Sequence, residues 1–251
     1  MARFAWLLLL VLFVCVPALA RADQQPDATA IDAVLARLEG HAAKFEAMKK
    51  RGSYTFSGRL QELDGSGNAS TTKEMILDVK AQGNGADPIT DIVKYTEDGK
   101  DKTTEAQEKA RKKKLEGRKG GKRMRDFHLP FLASERARYD FTFAERSSAD
   151  PNQIRIAFVP KKPAEDAYKG SAWIDEKAGE VLSVGFSLSK NPTFVDHIDV
   201  TVEFGLPTAL GRAPSKIDID ARGGFLVIKK HFKASATITN PRIVPLTARG
   251  S

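Results

Sequence analysis

Four histidines, one cysteine and a few clustered carboxylates are the residues here with reactive chemistry to offer. His41, His128, His197 and His231 stand far apart. None forms the His-x-x-x-His spacing that would turn two imidazoles toward one metal from a single helical face. The tightest polar cluster is His197 beside Asp196 and Asp199, where a carboxylate could orient an imidazole as a general base. It sits at the start of a strand pattern, where charged residues usually face water. No Gly-x-Ser-x-Gly elbow presents a serine nucleophile. Asp175, followed by Glu176-Lys177-Ala178-Gly179, reads as a turn residue rather than a catalytic acid. Asn68-Ala69-Ser70 matches a glycosylation sequon and is read as a chance match. These residues predict no enzyme, no metal centre and no cofactor. A dispersed hydrolytic site assembled by the fold is the open alternative.

Non-covalent chemistry is better represented. Holding an acyl chain of about 16 carbons out of water is worth on the order of 12 kcal/mol, at ~0.8 kcal/mol per methylene. That demands a long dry concavity rather than a few surface contacts. The candidates to line one are Tyr54, Phe56, Leu60, Tyr139, Phe141, Phe143, Ile156 and Phe158 on strands, with Leu38 and Phe45 from a helix above them. The same residues would equally serve as a packed core. Alternation says which face is apolar, not whether it is filled.

The elements that must position them begin after a leader. Arg3, the apolar run Trp6 to Val16, the breaker Pro17 and the small residues Ala18, Ala20 and Ala22 form a secretory signal, cleaved after Ala20 or Ala22. The run is too short for a comfortable membrane span, which takes about 20 apolar residues. Residues 1–22 are therefore read as a signal peptide and 23–251 as one exported, periplasmic domain that does not span the membrane. The only cysteine, Cys15, lies inside the leader behind Phe13-Val14, where a lipidation site would need a small residue. No disulfide, thiol nucleophile or cysteine metal ligand remains beyond it. The charge is +8; Arg3 and Arg21 account for two units and leave a moderately basic +6, suited to anionic partners.

A helix then opens at Pro26-Asp27, with Asp27 as its N-cap. Ile31, Val34, Leu35, Leu38, Ala42, Phe45 and Met48 recur at three and four, giving one apolar stripe. Lys49, Lys50 and Arg51 favour the negative helix end and Gly52 closes it. Strand patterns come next, with turns at Asp64 to Asn68, Asp150 to Asn152 and Asp175 to Gly179. Ile92 to Tyr95 is a short third strand. Ile198, Val200, Val202 and Phe204 alternate most cleanly. Ile217 and Ile219 are expected to pair with Phe225 and Val227 across Arg222-Gly223-Gly224. Phe232, Ala234, Ala236 and Ile238 mark the last strand. A sheet of roughly nine to eleven antiparallel strands must curl or split to bury its apolar face. The fold class is mainly β with α, an α+β arrangement: a strongly curved antiparallel sheet with the N-terminal helix packed across its concave side.

Between Gly99 and Arg125 twelve Lys or Arg meet four Asp or Glu, so this stretch reads as an insertion at about 99–125. Lys102 to Glu116 are good helix formers with only Ala106, Ala110 and Leu115 as apolar contacts, and Gly117, Gly120 and Gly121 loosen the chain after Glu116. A protruding, partly helical or disordered arm is expected. Export and the lack of interleaved aromatics argue against nucleic acid. An anionic membrane surface or a protein partner could meet residues 100–125.

The order of these features resembles the LolA/LolB-like outer-membrane lipoprotein-sorting family. It is carried by the signal, the amphipathic helix, the aromatic strand Ser53-Tyr-Thr-Phe-Ser-Gly-Arg59, and the hairpin Gly170-Ser-Ala-Trp-Ile-Asp-Glu-Lys-Ala-Gly-Glu-Val181. Lys94 to Asp101, the basic run and Leu129-Pro-Phe-Leu132 resemble a less characterised branch of that group. The resemblance implies an unclosed β half-barrel with a helical lid and an apolar cavity. It also implies a soluble carrier for lipid, lipoprotein acyl chains or another hydrophobic ligand, with lipid or acylated protein as partner. The basic insertion and the absence of a lipid-anchoring cysteine depart from it. A filled core acting as a regulatory envelope module, with the basic arm as its contact, is the second reading.

Overall fold

The computed structural model describes residues 28–82, 86–115, 127–225 and 228–245. The leader, the expected helix start at Pro26-Asp27 and residues 116–125 of the insertion lie outside the described residues.

The apolar stripe becomes α1, Ala28–Arg51, with its three basic residues in the last turn. The chain runs without a loop into β1, Gly52–Leu63, so Gly52 starts a strand rather than ending in coil. After β2 (Ala69–Lys80), β3 (Ile89–Glu97) and β4 (Lys100–Asp101) comes α2, Thr103–Leu115. A short α3, Ala133–Arg136, precedes β5 (Tyr139–Arg146), β6 (Gln153–Pro160), β7 (Tyr168–Asp175), β8 (Glu180–Leu188) and β9 (Val195–Glu203). A small hairpin of β10 (Leu206–Thr208) and β11 (Gly211–Ala213), which alternation did not announce, leads to β12 (Lys216–Phe225) and β13 (Ile228–Ile243).

Eleven strands form one sheet in the order β4-β3-β2-β1-β13-β12-β9-β8-β7-β6-β5, and β10 and β11 form a second. The large sheet does not close: β4 and β5 are its two edges. It is the curved, open α+β architecture expected from the sequence. The helix α1 touches β5, β8 and β1. Seven strand spacings of about 4.8 Å separate β1 from β5, some 34 Å, and a 24-residue helix is about 36 Å long. The helix therefore lies across the strands on the inner face. Its first turn is held by Asp32 to Arg136 beside β5 at 2.8 Å. Its last is held by Arg51 Nε, which donates to the Val244 carbonyl at 3.0 Å.

Three turns fall where their residues predict. Asp64 Oδ1 accepts from the Ser66 and Asn68 amides at 2.8 and 2.9 Å. Asp64→Ala should therefore cost about 1 kcal/mol in urea unfolding, the net worth of an exposed turn hydrogen bond. The hairpin after Ile219 differs from the expectation. Arg222-Gly223-Gly224 is inside β12, and Ile217 and Ile219 pair with Ala236 and Ala234. These glycines serve a close approach instead of a turn: a Cβ on Gly223 would lie 2.3 Å from the Phe194 carbonyl oxygen.

The insertion is partly helical, as expected, but its described part does not protrude. The first part of the insertion is strand β4 and helix α2, and α2 is moored to β3. Asp101 Oδ1 accepts the Thr103 amide at 2.8 Å, the Tyr95 amide donates to Thr103 Oγ1 at 3.0 Å, and Gln107 Nε2 donates to the Ile92 carbonyl at 2.8 Å. Two polar tethers did for α2 what its sparse apolar contacts could not.

Candidate functional site

Register aligns the inner-face side chains into rungs that cross the sheet. One rung reads Phe143, Ile156, Ala172, Val184, Val202, Ile217, Ala236, Gly58, Met75 and Tyr95. The next reads Phe141, Phe158, Gly170, Phe186, Val200, Ile219, Ala234, Leu60, then Lys73 and Glu97. Gly170 is required there, since a Cβ would come within 2.1 Å of the Gly185 carbonyl oxygen. Side chains paired across strands share a face, so each rung is an apolar track, the second running as far as Leu60 on β1.

Coverage of these tracks is uneven. Under α1 they are filled. Leu38, Phe45, Tyr139, Ile156 and Phe158 are buried, and Tyr54, Phe56, Phe141 and Phe143 pack partly buried against the same core. Phe45 meets Phe204 edge-on at 5.6 Å. Nine of the ten sequence candidates thus come together; Leu60 stands outside that core and is half-buried.

The side chains that complete the filling were not among the sequence candidates. Leu129 and Phe131 are wholly buried, and Phe131 lies 5.7 Å from Phe141 and 6.1 Å from Phe158. Phe127 stacks on Phe186 at 4.7 Å and tilts against Tyr168 at 5.2 Å. The apolar run Leu129 to Leu132 was visible in the sequence, but it has no period to say which way it faces. A cavity of about 90 Å³ remains between Phe45, Met48, Tyr54, Ile238 and Ile243. Ligand pockets run to roughly 300 Å³ and more, so this space does not hold an acyl chain.

Beyond α1 the same tracks are open. Ile219 is 36% exposed, and Leu60, Ala234, Met75, Leu77 and Phe232 are half-buried and outside the core. The open strip ends on Lys73, which is paired with Leu60 across β1 and β2. Lys73 and Lys102 both bind Glu97, at 3.3 and 2.9 Å. Their hydrogen bonds, Lys102 first, hold the Glu97 carboxyl below its ordinary pKa. A groove of about 460 Å³ lies beside them, between α2 and β3.

The polar candidates do not assemble a reactive centre. Ser187 Oγ donates to Asp199 Oδ1 at 2.6 Å, and His197 Nε2 lies 2.5 Å from Asp199 Oδ2. The carboxylate stands between hydroxyl and imidazole, so the His197 ring is paired with Asp199 and not with the serine. The Ser187 hydrogen bond lowers the Asp199 pKa. His231 pairs with Asp220 at 2.9 Å, and His128 Nδ1 lies 3.1 Å from Glu46. Asp175 accepts the Ala178 amide at 2.8 Å, a turn role. Among the described residues no group of three His, Cys, Asp or Glu could hold a metal ion, and no helix is long and apolar enough to cross a membrane.

No family model matches the sequence, and no curated protein matches it. Solved structures do. A DUF1329 family protein from Desulfovibrio piger is 11% identical with a TM-score of 0.37, covering 84% of this chain and 93% of its own. A domain named for outer membrane lipoprotein sorting, from Vibrio parahaemolyticus, is 14% identical at 0.40, covering 83% and 91%. A LolA superfamily protein from Nitrosomonas europaea is 9% identical at 0.40, covering 84% and 94%. The structural neighbours of this chain thus include a LolA superfamily protein and a lipoprotein-sorting domain.

Proposed function

We propose that this chain is a periplasmic protein that binds a lipid, a lipoprotein acyl chain or another hydrophobic ligand, without chemistry on it. The observation that supports this most is the open part of the apolar tracks. The inner face is apolar from β5 to β1, yet α1 and the Leu129 to Phe131 segment cover only one portion of it. Leu60, Ile219, Ala234 and Met75 keep part of their surface in water, and a ligand lying over them would recover that part, a fraction of the about 1.5–3 kcal/mol of a full transfer for a large aliphatic side chain. Because α1 is fixed at both ends, the binding surface proposed is the strip beside it. A movable lid over space beneath α1 is not needed.

The test is mass spectrometry of solvent extracts from the purified protein, against Leu60→Asp/Ile219→Asp. Acyl species should accompany the native chain and fall at least about tenfold in the variant, one buried aliphatic contact being worth that much. The variant should still fold, since both side chains are partly exposed. Phe45→Asp would be the wrong probe, because a carboxylate against Phe204 in the sealed core breaks the fold first. An extract free of acyl species would remove the carrier reading.

A second reading draws on the filled part of the trough. Leu129, Phe131 and Phe204 occupy the space a carrier would keep empty, as expected of an interaction module whose partner covers the open strip or meets the basic helix α2. Deleting residues 100–124 should then abolish capture of a protein partner while the extract stays lipid-free.

A further inference from the structure

We infer that the groove between α2 and β3 takes the anionic head group of an amphiphile whose tail lies along the neighbouring apolar strip. This rests on the carrier reading and narrows its ligand from any acyl compound to one with a phosphate or carboxylate head.

Four ammonium groups, from Lys73, Lys102, Lys109 and Lys113, line the groove against two carboxylates, Glu97 and Glu105. Glu97 is already engaged by Lys73 and Lys102. Lys109 and Lys113 have no carboxylate partner among the described residues. They stand one helical turn apart, a like-charge pair that weakens an isolated helix, on the face of α2 that also carries Ala106 and Ala110 into the groove. The small alanines keep the floor open while the lysines supply charge around its rim. Because Thr103 and Gln107 tie α2 to β3, the helix that carries these lysines is seated beside the groove before any ligand arrives, so only their side chains remain to be ordered on binding.

The juxtaposition with the strip is what points to one molecule with two parts. Lys73 is the direct cross-strand partner of Leu60 and lies on the same rung as Ala234 and Ile219. A tail lying on that rung from β12 to β1 delivers its head to Lys73 and the groove. A neutral acylated ligand would leave the uncompensated lysines unused. A free small anion would leave the strip bare.

The experiment compares two lysolipids of equal acyl length, lysophosphatidylglycerol and zwitterionic lysophosphatidylcholine, with glycerol 3-phosphate as the tail-free arm. Titrations use the full exported chain and Lys109→Glu/Lys113→Glu. The native chain should favour the anionic lysolipid by about tenfold, through the attraction of Lys109 and Lys113 for its net negative head. The preference should shrink as salt rises. The variant should lose it while its affinity for lysophosphatidylcholine stays the same, which a merely structural role for these lysines would not produce. Equal binding of the two lysolipids by the native chain, or a preference that survives the double reversal, overturns the inference and leaves the carrier reading standing. So does glycerol 3-phosphate competing as well as the lysolipid. If neither lysolipid binds, the carrier reading fails and takes this inference with it.

Discussion

Replacing Phe131 with alanine is expected to destabilise the fold by about 3–5 kcal/mol, the range for deleting a wholly enclosed phenylalanine. Its ring lies among Phe141, Phe158 and Leu129. The segment that carries it has no helix or strand of its own until α3, so side-chain packing is what seats it. Its backbone is shaped by a local turn, from the Leu132 amide to the Leu129 carbonyl at 3.0 Å, and anchored upstream by Lys49 Nζ of α1, which donates to the Phe127 carbonyl at 2.8 Å. Two walls of the void would be β5 and β6, which cannot close inward without breaking ladder bonds. In a chain of this size 1 kcal/mol moves the melting temperature by roughly 2–4 °C, so a fall of about 10 °C or more should appear in thermal unfolding. Val159→Ala on the outer face, where the side chain is 55% exposed, should change stability by no more than about 0.5 kcal/mol. A loss below 1 kcal/mol for Phe131→Ala would mean that the trough tolerates emptiness, and the filled portion would then belong with the open strip as ligand space.

That possibility marks the limit of what could be read from residue order. Period-two spacing at Tyr139, Phe141 and Phe143, or at Ile198, Val200 and Val202, fixes strand and face with little else required, but not the partner, as Ile217 and Ile219 show. It cannot separate Phe158 from Ile219. Both stand on one rung and obey one parity, yet the first is sealed and the second is open to water. The difference is made by what crosses above them. The length and stripe of α1 predict a helix on the sheet, but not where along eleven strands it stops. The Leu129 to Leu132 run has no period to orient it. Gly223-Gly224 misled for a related reason: glycine marks a turn and a tight backbone approach alike, and only the nearness of Phe194 decides between them. In α2 the strong charge bias concealed two polar tethers, since Thr103 and Gln107 act on backbone atoms of β3 that no side-chain pattern announces.

Acidification should weaken this fold through His41, by about 3 kcal/mol between neutral pH and pH 4. His41 lies on the buried stripe of α1, edge-on to Phe204 at 5.7 Å. Its Nε2 is enclosed with no hydrogen-bond partner among the described residues. Burial is the main cause that lowers its pKa to about 4. Glu180 on β8 opposes this, while Lys44 on α1 and Arg212 on β11 add to it. Arg212 Nε holds Glu180 at 3.0 Å, which blunts the one favourable charge. Above pH 6.5 the imidazole is neutral in folded and unfolded chains alike, and it contributes nothing to the pH slope. As pH falls below 6.5 the unfolded chain takes up a proton that the native state refuses, so stability declines. The decline ends near pH 4, where the native imidazole is protonated too. A shift of this size corresponds to about 3 kcal/mol, or roughly 1 M in urea midpoint at a slope near 3 kcal/mol per molar. His41→Leu keeps the apolar contact with Phe204 and removes both the proton site and the orphaned nitrogen. It should match or exceed the native chain at pH 7 and stand well above it at pH 4. Carboxylates titrate in the same interval, so the quantity to compare is the difference between the two chains at each pH. If that difference stays constant from pH 7 to pH 4, His41 is charged or solvated in the native state and the helix is not seated on the sheet as described.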